Sequence, residues 1–294
     1  GRLAGAAGLL SLALAAFAVW AGRRSAVNEL EADRTRQRRR FAETLDTFVS
    51  AVESREPARS GHAHRVRAYT EEIASLVAED PEGFGLDPET DPGWREDLST
   101  AAFLHDLGKL GVPEPLLRQA EAQGDSQDER YRLHAVIGAN LVKQISFPEE
   151  VHLAIRHHHE RWDAGGYPDN LRGEAIPLGA RIIALADALD ELYLARGDGS
   201  HPLMETIVEY ISRHSGTRLD PALCELYCQH ATAIERAVAE RCLDPQAPIT
   251  EPVLDDASSL LDVSRAQREA GVLYDLACQL GTSLRVEETA RTVL

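Results

Sequence analysis

Apolar residues recur at three- and four-residue intervals along most of the chain, and no long stretch alternates apolar with polar residues as a strand would. Between about residue 98 and residue 230, these helical periods are separated by short loops rich in turn-forming residues. The acidic, turn-rich runs at 80–93 and 124–129 predict longer exposed loops. The pattern predicts an all-α fold in which several helices form a bundle.

The first apolar stretch, residues 3–22, carries no charge and has the length of ~20 residues that a helix needs to cross a bilayer core. Arg23 and Arg24 follow directly, and positive charge on this side indicates that it faces the cytoplasm. The alternative is a signal peptide, whose apolar region normally spans only about 7–15 residues. We therefore expect a transmembrane helix at residues 1–24, in a protein that crosses the inner (cytoplasmic) membrane once.

A charged helix without Pro or Gly is predicted for residues 25–56. Its apolar positions recur at helical spacing, at Phe41, Leu45, Phe48, Val49 and Val52. Two alternatives follow for this apolar face. It could pair with a second copy of the chain as a coiled coil, giving a homodimer, or it could pack on its own domain.

A second long helix is predicted after the central domain, in residues 246–294, where leucines recur at three- and four-residue intervals. Its last part, residues 273–294, resembles the leading helix of a GAF sensory domain. The expected organisation is a transmembrane helix at 1–24, a linker helix at 25–56, a central domain at 57–245 and a C-terminal linker helix at 246–294. The long helices thus flank the bundle.

Composition narrows the partner classes. Apolar residues make up 44% and aromatic residues 5% of the 294 residues, a balance that favours helices. The formal net charge of −17 argues against a nucleic-acid partner, because binding a phosphate backbone requires Lys and Arg in excess on the contacting face. A small nucleotide held through metal ions is compatible with this charge. The four cysteines form no CxxC pair, so neither a zinc ribbon nor a disulfide framework is expected.

Histidines and aspartates recur in five short clusters between residues 61 and 190. His105 and Asp106 follow an apolar helical run, and Asp187 lies within the apolar stretch IIALADALD. A carboxylate in such surroundings must be paired or bound to a metal, because burial of a lone charge costs too much free energy. Several clusters of this kind on separate helices are best explained by a shared metal site.

Imidazole and carboxylate ligands without thiolate select iron, manganese, zinc or magnesium rather than copper(I). An aspartate that bridges two ions would hold them about 3.5–4 Å apart, an arrangement that polarises a phosphoryl group. The adjacent pair His105–Asp106 suits such a site, because the aspartate can bridge while the histidine binds one ion.

Six motifs occur in order along the chain: GHAHRV (61–66), HDLGKLGVP (105–113), HAVIG (134–138), HHHERWDAGGYP (157–168), IPLGARIIALADALD (176–190) and SGTRLDP (215–221). In order and spacing they resemble the HD-GYP branch of the HD phosphohydrolases, over roughly residues 50–235. The resemblance implies an all-helical bacterial enzyme with an HD-type bundle. It also implies hydrolysis of cyclic di-GMP to linear pGpG or GMP, with two divalent ions, iron or manganese, as cofactors.

Carried over position by position, the resemblance implies two ligand sets that share Asp106 as the bridge: His62, His105, Asp106 and Asp187 around one ion, and His134, His158 and His159 around the other. Lys109 would act catalytically beside the substrate phosphate. His157 is expected to be a bystander. The implied substrate-binding residues are Arg65, Gly166, Tyr167, Pro168, Arg181 and Arg196.

Two of these assignments have alternatives or a second use. Arg65 and Arg181 could instead be structural ion-pair residues. The loop at residues 166–168 is also available to a partner protein.

Three departures from the family pattern matter. Ala58 stands where relatives with a third metal carry a glutamate, so two metals are expected. Ala164 replaces a glycine, which is costly only if the backbone there has a positive φ. Cations that hold the nucleotide phosphates in the family are missing from residues 119–121 (Gln, Ala, Glu) and from the run after Asp190, where only Arg196 remains. These losses would weaken the capture of an anionic substrate.

Two other functions therefore stay open beside cyclic di-GMP hydrolysis. One is a metal-binding signalling module with weak or no turnover, and the other is a hydrolase of another phosphorylated nucleotide.

Overall fold

The structure is a computed structural model that describes residues 42–86, 93–123, 128–145, 147–195 and 203–242, with a few single positions before residue 42. Arg196, the GAF-like segment at 273–294 and the rest of the predicted C-terminal helix at 246–294 lie outside the described residues.

The described part of the chain is helical. Its β-type backbone pairing is limited to two isolated bridges, Asp163–Arg172 and Ser215–Leu219. The prediction of an all-α fold is therefore confirmed. Short 3-10 turns cover Pro57–Arg59, Glu82–Phe84, Leu107–Gly111 and Gly173–Ala175. The helices are α1 (described over 42–53), α2 (His62–Val77), α3 (Trp94–Leu104), α4 (Glu114–Gln123), α5 (Glu129–Gln144), α6 (Glu149–His157), α7 (Leu178–Leu194), α8 (Met204–His214) and α9 (Pro221–Cys242).

Helix α7 lies at the centre of the bundle and packs against α2, α3, α6 and α9. Its sequence is apolar on nearly all sides, which is the pattern of a helix that is buried all round. Ile182, Ile183 and Leu189 are each almost completely buried within the main core. Asp187 and Asp190 are buried on the same helix, so each needs a charged or hydrogen-bonding partner inside the protein.

Helix α1 uses its apolar face within the same chain. Leu45 and Val49 are buried in the main core, together with residues of α2 and α3. At the end of this helix, the Glu53 carboxylate accepts hydrogen bonds from the backbone N–H groups of Gly61 (2.8 Å) and Ala63 (3.0 Å). These bonds satisfy free donors at the start of α2 and fix the position of His62.

The expected location in the inner membrane is corrected by the structure. Within the described residues, the helices lack the combination of length and apolar character that crossing a bilayer requires. The predicted span at residues 3–22 lies outside the described residues except for Trp20. The sequence pattern that suggested the span is rich in Ala and Gly and therefore only modestly hydrophobic.

Candidate metal centre

The predicted metal ligands lie at helix ends and on helix faces that meet between α2, α3, α5, α6 and α7. His62 is the first residue of α2, and His105 and His158 directly follow α3 and α6. His134 and Asp187 lie inside α5 and α7. The residues brought together are His62, His105, Asp106, His134, His158, His159 and Asp187.

A close approach between two backbones holds the HD turn in place. The turn Leu107–Gly111 packs directly on α5. A Cβ atom on Gly108 would lie 1.9 Å from the carbonyl oxygen of His134 and 2.5 Å from the backbone nitrogen of Gly138. Only glycine permits this contact, which brings Asp106 next to His134.

The side chains form two neighbouring groups, each with ligand atoms within 4.8 Å of one another: His62, His105 and Asp187 in one, and Asp106, His134, His158 and His159 in the other. In the first group, the His62 Nε2 atom lies 3.2 Å from His105 Nε2 and 3.5 Å from Asp187 Oδ1. In the second, the Nε2 atoms of His134 and His159 are 3.0 Å apart.

Asp106 lies between the two groups and turns one oxygen to each. Its Oδ2 atom is 3.5 Å from the Nε2 atoms of both His62 and His105, whereas its Oδ1 atom is 3.6 Å from His134 Nε2. A carboxylate in this position can act as a ligand to two cations at once.

The hydrogen bonds of the imidazoles fix which nitrogen is available. In three histidines, Nδ1 faces a backbone carbonyl oxygen three residues earlier: Ala102 for His105 (2.7 Å), Tyr131 for His134 (2.7 Å) and Ile155 for His158 (2.6 Å). Because a carbonyl only accepts, each Nδ1 carries the proton and each Nε2 presents a lone pair. The buried Nε2 of His158 has no hydrogen-bond partner within the described part of the chain. Such an arrangement fits metal ligation, which orients imidazoles in the same way.

The charges of the site also fit cations. Burial lowers the pKa of His105 to about 4 and that of His134 to about 3, so both imidazoles are neutral near pH 7. Burial would raise the pKa of Asp106, but Lys109 and His105 hold it well below its usual value. The Asp106 carboxylate is therefore ionised. Burial and the charge of Arg59 would lower the pKa of His62, but hydrogen bonds with Asp106 and Asp190 outweigh them and raise this pKa to about 9. A proton on His62 Nε2 takes the place that a metal cation would fill.

Comparison with protein families agrees with this geometry. A model of the HD domain family matches residues 46–223, more than half of the chain. The chain belongs to the HD domain family. Its similarity to a crystal structure of a cyclic GMP-AMP-specific phosphodiesterase of Vibrio cholerae covers 77% of this chain and 58% of that one, with 20% identity and a TM-score of 0.52. At that identity the likeness concerns the fold alone.

Two named phosphodiesterases are similar in sequence to this chain. A cyclic di-GMP phosphodiesterase response regulator of Xanthomonas campestris is 33% identical over 199 residues, which are 67% of this chain and 50% of the relative. A 3'3'-cGAMP-specific phosphodiesterase of Vibrio cholerae is 31% identical over 64% of this chain and 34% of its own length. The HD domain chain therefore matches half or less of the length of these relatives.

Further residues support the ligands of the HD domain. The buried Lys109 ammonium lies 2.8 Å from Asp106 Oδ2 and 2.9 Å from Glu56 Oε2. Asp190 accepts from His62 Nδ1 at 2.6 Å and pairs with Arg65. Sequence reasoning assigned no role to Glu56 or to Asp190 in the site. For Asp190 a signal existed, because it stands three residues after Asp187 on the same face of an apolar helix.

Arg59 is a second residue that sequence reasoning missed. It ends the turn Pro57–Arg59, and its guanidinium lies 3.7 Å from Asp187 Oδ1. Against burial, Asp187, Asp106 and other acidic groups raise the pKa of Arg59 above its usual value. With Lys109, Arg59 brings fixed positive charge to a site that is rich in carboxylates. No family motif covers it, so only the structure reveals its position.

An open cleft of about 240 Å³ lies against the metal centre of the HD domain. His158, His159 and Asp187 line it together with three arginines, Arg132, Arg161 and Arg218. Arg132 stacks on the Tyr167 ring at 4.9 Å, Arg161 pairs with Asp163, and Arg218 pairs with Glu191. The arginines come from α5, from the loop after α6 and from the turn before α9. Arg161 and Arg218 lie within the motifs at 157–168 and 215–221, but the motifs do not show that these arginines meet Arg132 in space.

The predicted loop residues also reach this cleft. Gly166 and Tyr167 line it, and the Tyr167 ring stacks on His159 at 4.8 Å. A Cβ atom on Gly166 would lie 2.4 Å from the backbone nitrogen of Arg161, so the loop folds closely on itself only with glycine there. Pro168 follows Tyr167 through a cis peptide bond. Ala164 has a φ of 68°, which is the case in which the replacement of glycine is costly.

Two other predicted substrate-binding residues, Arg65 and Arg181, are not among the residues that line the cleft. Arg65 pairs with Asp190 at 2.5 Å and stacks on the Tyr193 ring at 4.8 Å. Arg181 pairs with Asp220 at 2.6 Å and also donates to the carbonyl oxygen of Ile176. Arg65 and Arg181 thus have the contacts expected of structural ion-pair residues, which was the alternative to a role in substrate binding. Arg196 lies outside the described residues.

Proposed function

We propose that this chain is a metal-dependent phosphodiesterase of the HD-GYP type that hydrolyses cyclic di-GMP to linear pGpG or GMP. The position of Asp106 carries the proposal, because its two oxygens face two separate groups of imidazoles at 3.5 and 3.6 Å. Similarity to the cyclic di-GMP phosphodiesterase of Xanthomonas campestris supports the choice of substrate.

Two divalent ions, iron or manganese, would be held by His62, His105, Asp106 and Asp187 on one side and by Asp106, His134, His158 and His159 on the other. Bound there, such ions would supply Lewis acidity toward a phosphodiester and would make water a stronger nucleophile at neutral pH. His105, His134 and His158 would contribute by presenting their Nε2 atoms in orientations that backbone carbonyl oxygens already fix.

Lys109 has a defined place in this proposal. Its ammonium is buried between Asp106 and Glu56, at 2.8 and 2.9 Å. From there it keeps Asp106 ionised and holds the carboxylate in the orientation that faces both imidazole groups. We therefore assign Lys109 a positioning role in addition to the predicted role beside the phosphate, with Glu56 as its partner.

The cleft beside the ions would bind the substrate. Arg132, Arg161 and Arg218 line it and would attract the two phosphates of a cyclic dinucleotide. Arg161 and Arg218 lie within motifs that resemble the family, so these positive charges would remain available although the cations at residues 119–121 and after Asp190 are missing. Tyr167 would add an aromatic surface beside His159. The same loop remains a predicted surface for a partner protein.

A second candidate substrate is 3'3'-cGAMP. Similarity to a 3'3'-cGAMP-specific phosphodiesterase of Vibrio cholerae favours it, at 31% identity against 33% for the cyclic di-GMP relative. The two substrates differ in one base and share both phosphates, so ions and arginines would treat them alike. A metal-binding module with weak turnover is the third candidate.

In the decisive experiment, the protein is loaded anaerobically with iron or with manganese. It is then given cyclic di-GMP and 3'3'-cGAMP in parallel assays, and the products are separated by chromatography. We expect faster hydrolysis of cyclic di-GMP, and a loss of about 100-fold or more in the Asp106→Asn variant. Asp46→Asn changes a half-exposed aspartate on α1 and serves as the matched control. Tight binding without turnover would favour the signalling module, and unchanged activity of Asp106→Asn would refute the site assignment.

A further inference from the structure

A third group of potential ligands lies outside the centre described above. His157, Glu160 and Asp169 approach one another at the end of α6 and the start of the segment after Pro168. We propose that these three residues form a separate site for one borderline divalent cation, such as zinc. This proposal does not depend on the proposed phosphodiesterase activity.

The His157 ring gives the first reason. Its side chain is only 7% exposed, and its Nδ1 atom has no hydrogen-bond partner within the described part of the chain. That atom faces two carboxylates, at 3.8 Å from Glu160 Oε1 and 3.7 Å from Asp169 Oδ2. A buried polar atom without a partner is costly, and its direction toward two carboxylates indicates a cation between them.

The charges give the second reason. The Glu160 side chain is fully buried, and its two oxygens accept hydrogen bonds from the backbone N–H groups of Asp169 (2.7 Å) and Leu171 (3.1 Å). Each oxygen keeps a further lone pair for a cation. Arg156 forms a bidentate pair with Asp169, with both distances 2.9 Å, and so balances one of the two negative charges. A divalent cation at His157 Nδ1 would offset the remaining negative charge and leave the group with a net charge of +1.

The spacing of the ligand atoms suits zinc. In a tetrahedral site with bonds of about 2.0–2.2 Å, neighbouring ligand atoms are about 3.4 Å apart. The observed separations of 3.7 and 3.8 Å need a contraction of only a few tenths of an ångström. Imidazole nitrogen and carboxylate oxygen are both zinc ligands, and a set of three protein ligands leaves the fourth position open to water.

A cation here would fix two backbone segments of the neighbouring centre. His157 directly precedes His158 and His159, and Asp169 directly follows Pro168 of the cleft loop. The ion would thus tie the end of α6 to that loop. Its expected role is structural, and its loss should lower the melting temperature measured with zinc present.

The test measures zinc binding by the full chain after chelation of its metals, by calorimetric titration and by metal analysis after desalting. The variants are His157→Gln, Asp169→Asn and, as the control, His152→Gln on the same helix, whose Nδ1 faces the carbonyl oxygen of Glu149. We expect His157→Gln to bind one zinc equivalent fewer than the wild type and His152→Gln to bind the same number. Asp169 is 40% exposed, so Asp169→Asn should fold and bind that zinc at least 10-fold more weakly.

Asp106→Asn separates this site from the neighbouring one, because it should keep the zinc equivalent that depends on His157. Equal zinc content and affinity in the wild type, His157→Gln and Asp169→Asn would overturn the proposal. That result is expected if a proton on His157, rather than a metal, faces the two carboxylates.

Discussion

At the scale of single residues, a backbone carbonyl oxygen decides which nitrogen of a site histidine can bind a metal. His105, His134 and His158 each place Nδ1 next to the carbonyl three residues earlier, and this leaves Nε2 to face the centre. The sequence predicts which histidines matter, because their motifs keep a fixed spacing. It does not reveal this orientation, which depends on side-chain rotamers at helix ends.

Ala164 lies at a position where the backbone favours glycine. Its φ of 68° falls in the left-handed region, where a Cβ atom costs roughly 1–2 kcal/mol. A glycine at this position would remove that cost, but part of the stabilisation would be lost because glycine makes the unfolded chain more flexible. We expect Ala164→Gly to raise the free energy of unfolding by about 0.5–1 kcal/mol, measured by urea denaturation.

The control for this prediction is Ala233→Gly, at an exposed position in α9. There glycine should lower the free energy of unfolding by about 1 kcal/mol. Equal destabilisation by both variants would show that the loop at Ala164 does not need its left-handed conformation.

At the scale of elements, the metal centre depends on how closely the turn Leu107–Gly111 packs on α5. The helices could be predicted from the periodicity of apolar residues, and the all-α class with them. The close approach of the turn could not, because a glycine in a motif does not indicate which backbone it touches. The packing of Leu45 and Val49 in the core was likewise only one of two alternatives, since a short apolar face fits a second copy equally well.

Gly108→Ala tests this close approach. The added Cβ atom would lie 1.9 Å from the His134 carbonyl oxygen, so the turn and α5 must move apart. We expect a loss of about 1–3 kcal/mol in the free energy of unfolding, and weaker metal binding because Asp106 moves away from His134. Denaturation and metal titration measure both effects. Gly93→Ala is the control, because no atom lies within 4 Å of its Cβ position, and a comparable loss there would contradict this explanation.

At the scale of the whole molecule, the net charge of −17 does not indicate that three arginines line the cleft. The sequence indicated weak capture of an anionic substrate, because two basic segments of the family are missing. The structure brings Arg132, Arg161 and Arg218 together from distant parts of the chain. Net charge and linear motifs could not predict this cluster, since it arises only from the fold.

Arg218→Gln tests the role of the cleft in substrate binding. Loss of a charged hydrogen-bond donor to phosphate should raise the KM for cyclic di-GMP by about 10- to 100-fold, with a smaller change in kcat. Steady-state kinetics at fixed metal concentration measure both constants. Arg213→Gln on α8 is the matched control, because Arg213 is exposed and pairs locally with Glu209. An unchanged KM in Arg218→Gln would remove this arginine from the substrate site.

The domain organisation remains partly a prediction. The HD domain family match begins at residue 46, inside the predicted linker helix, and α1 shares the core of the bundle. The C-terminal linker at 246–294 lies outside the described residues, and the expected membrane location is not supported. Apolar periodicity identifies helices well, but it does not tell where a helix packs.

The most direct test of the metal centre is anomalous X-ray diffraction from crystals of the protein loaded with manganese or iron, recorded near the absorption edge. Our account predicts two strong peaks about 3.5–4 Å apart, one on each side of the Asp106 carboxylate. A single peak at Asp106, or none within bonding distance of it, would contradict the binuclear centre.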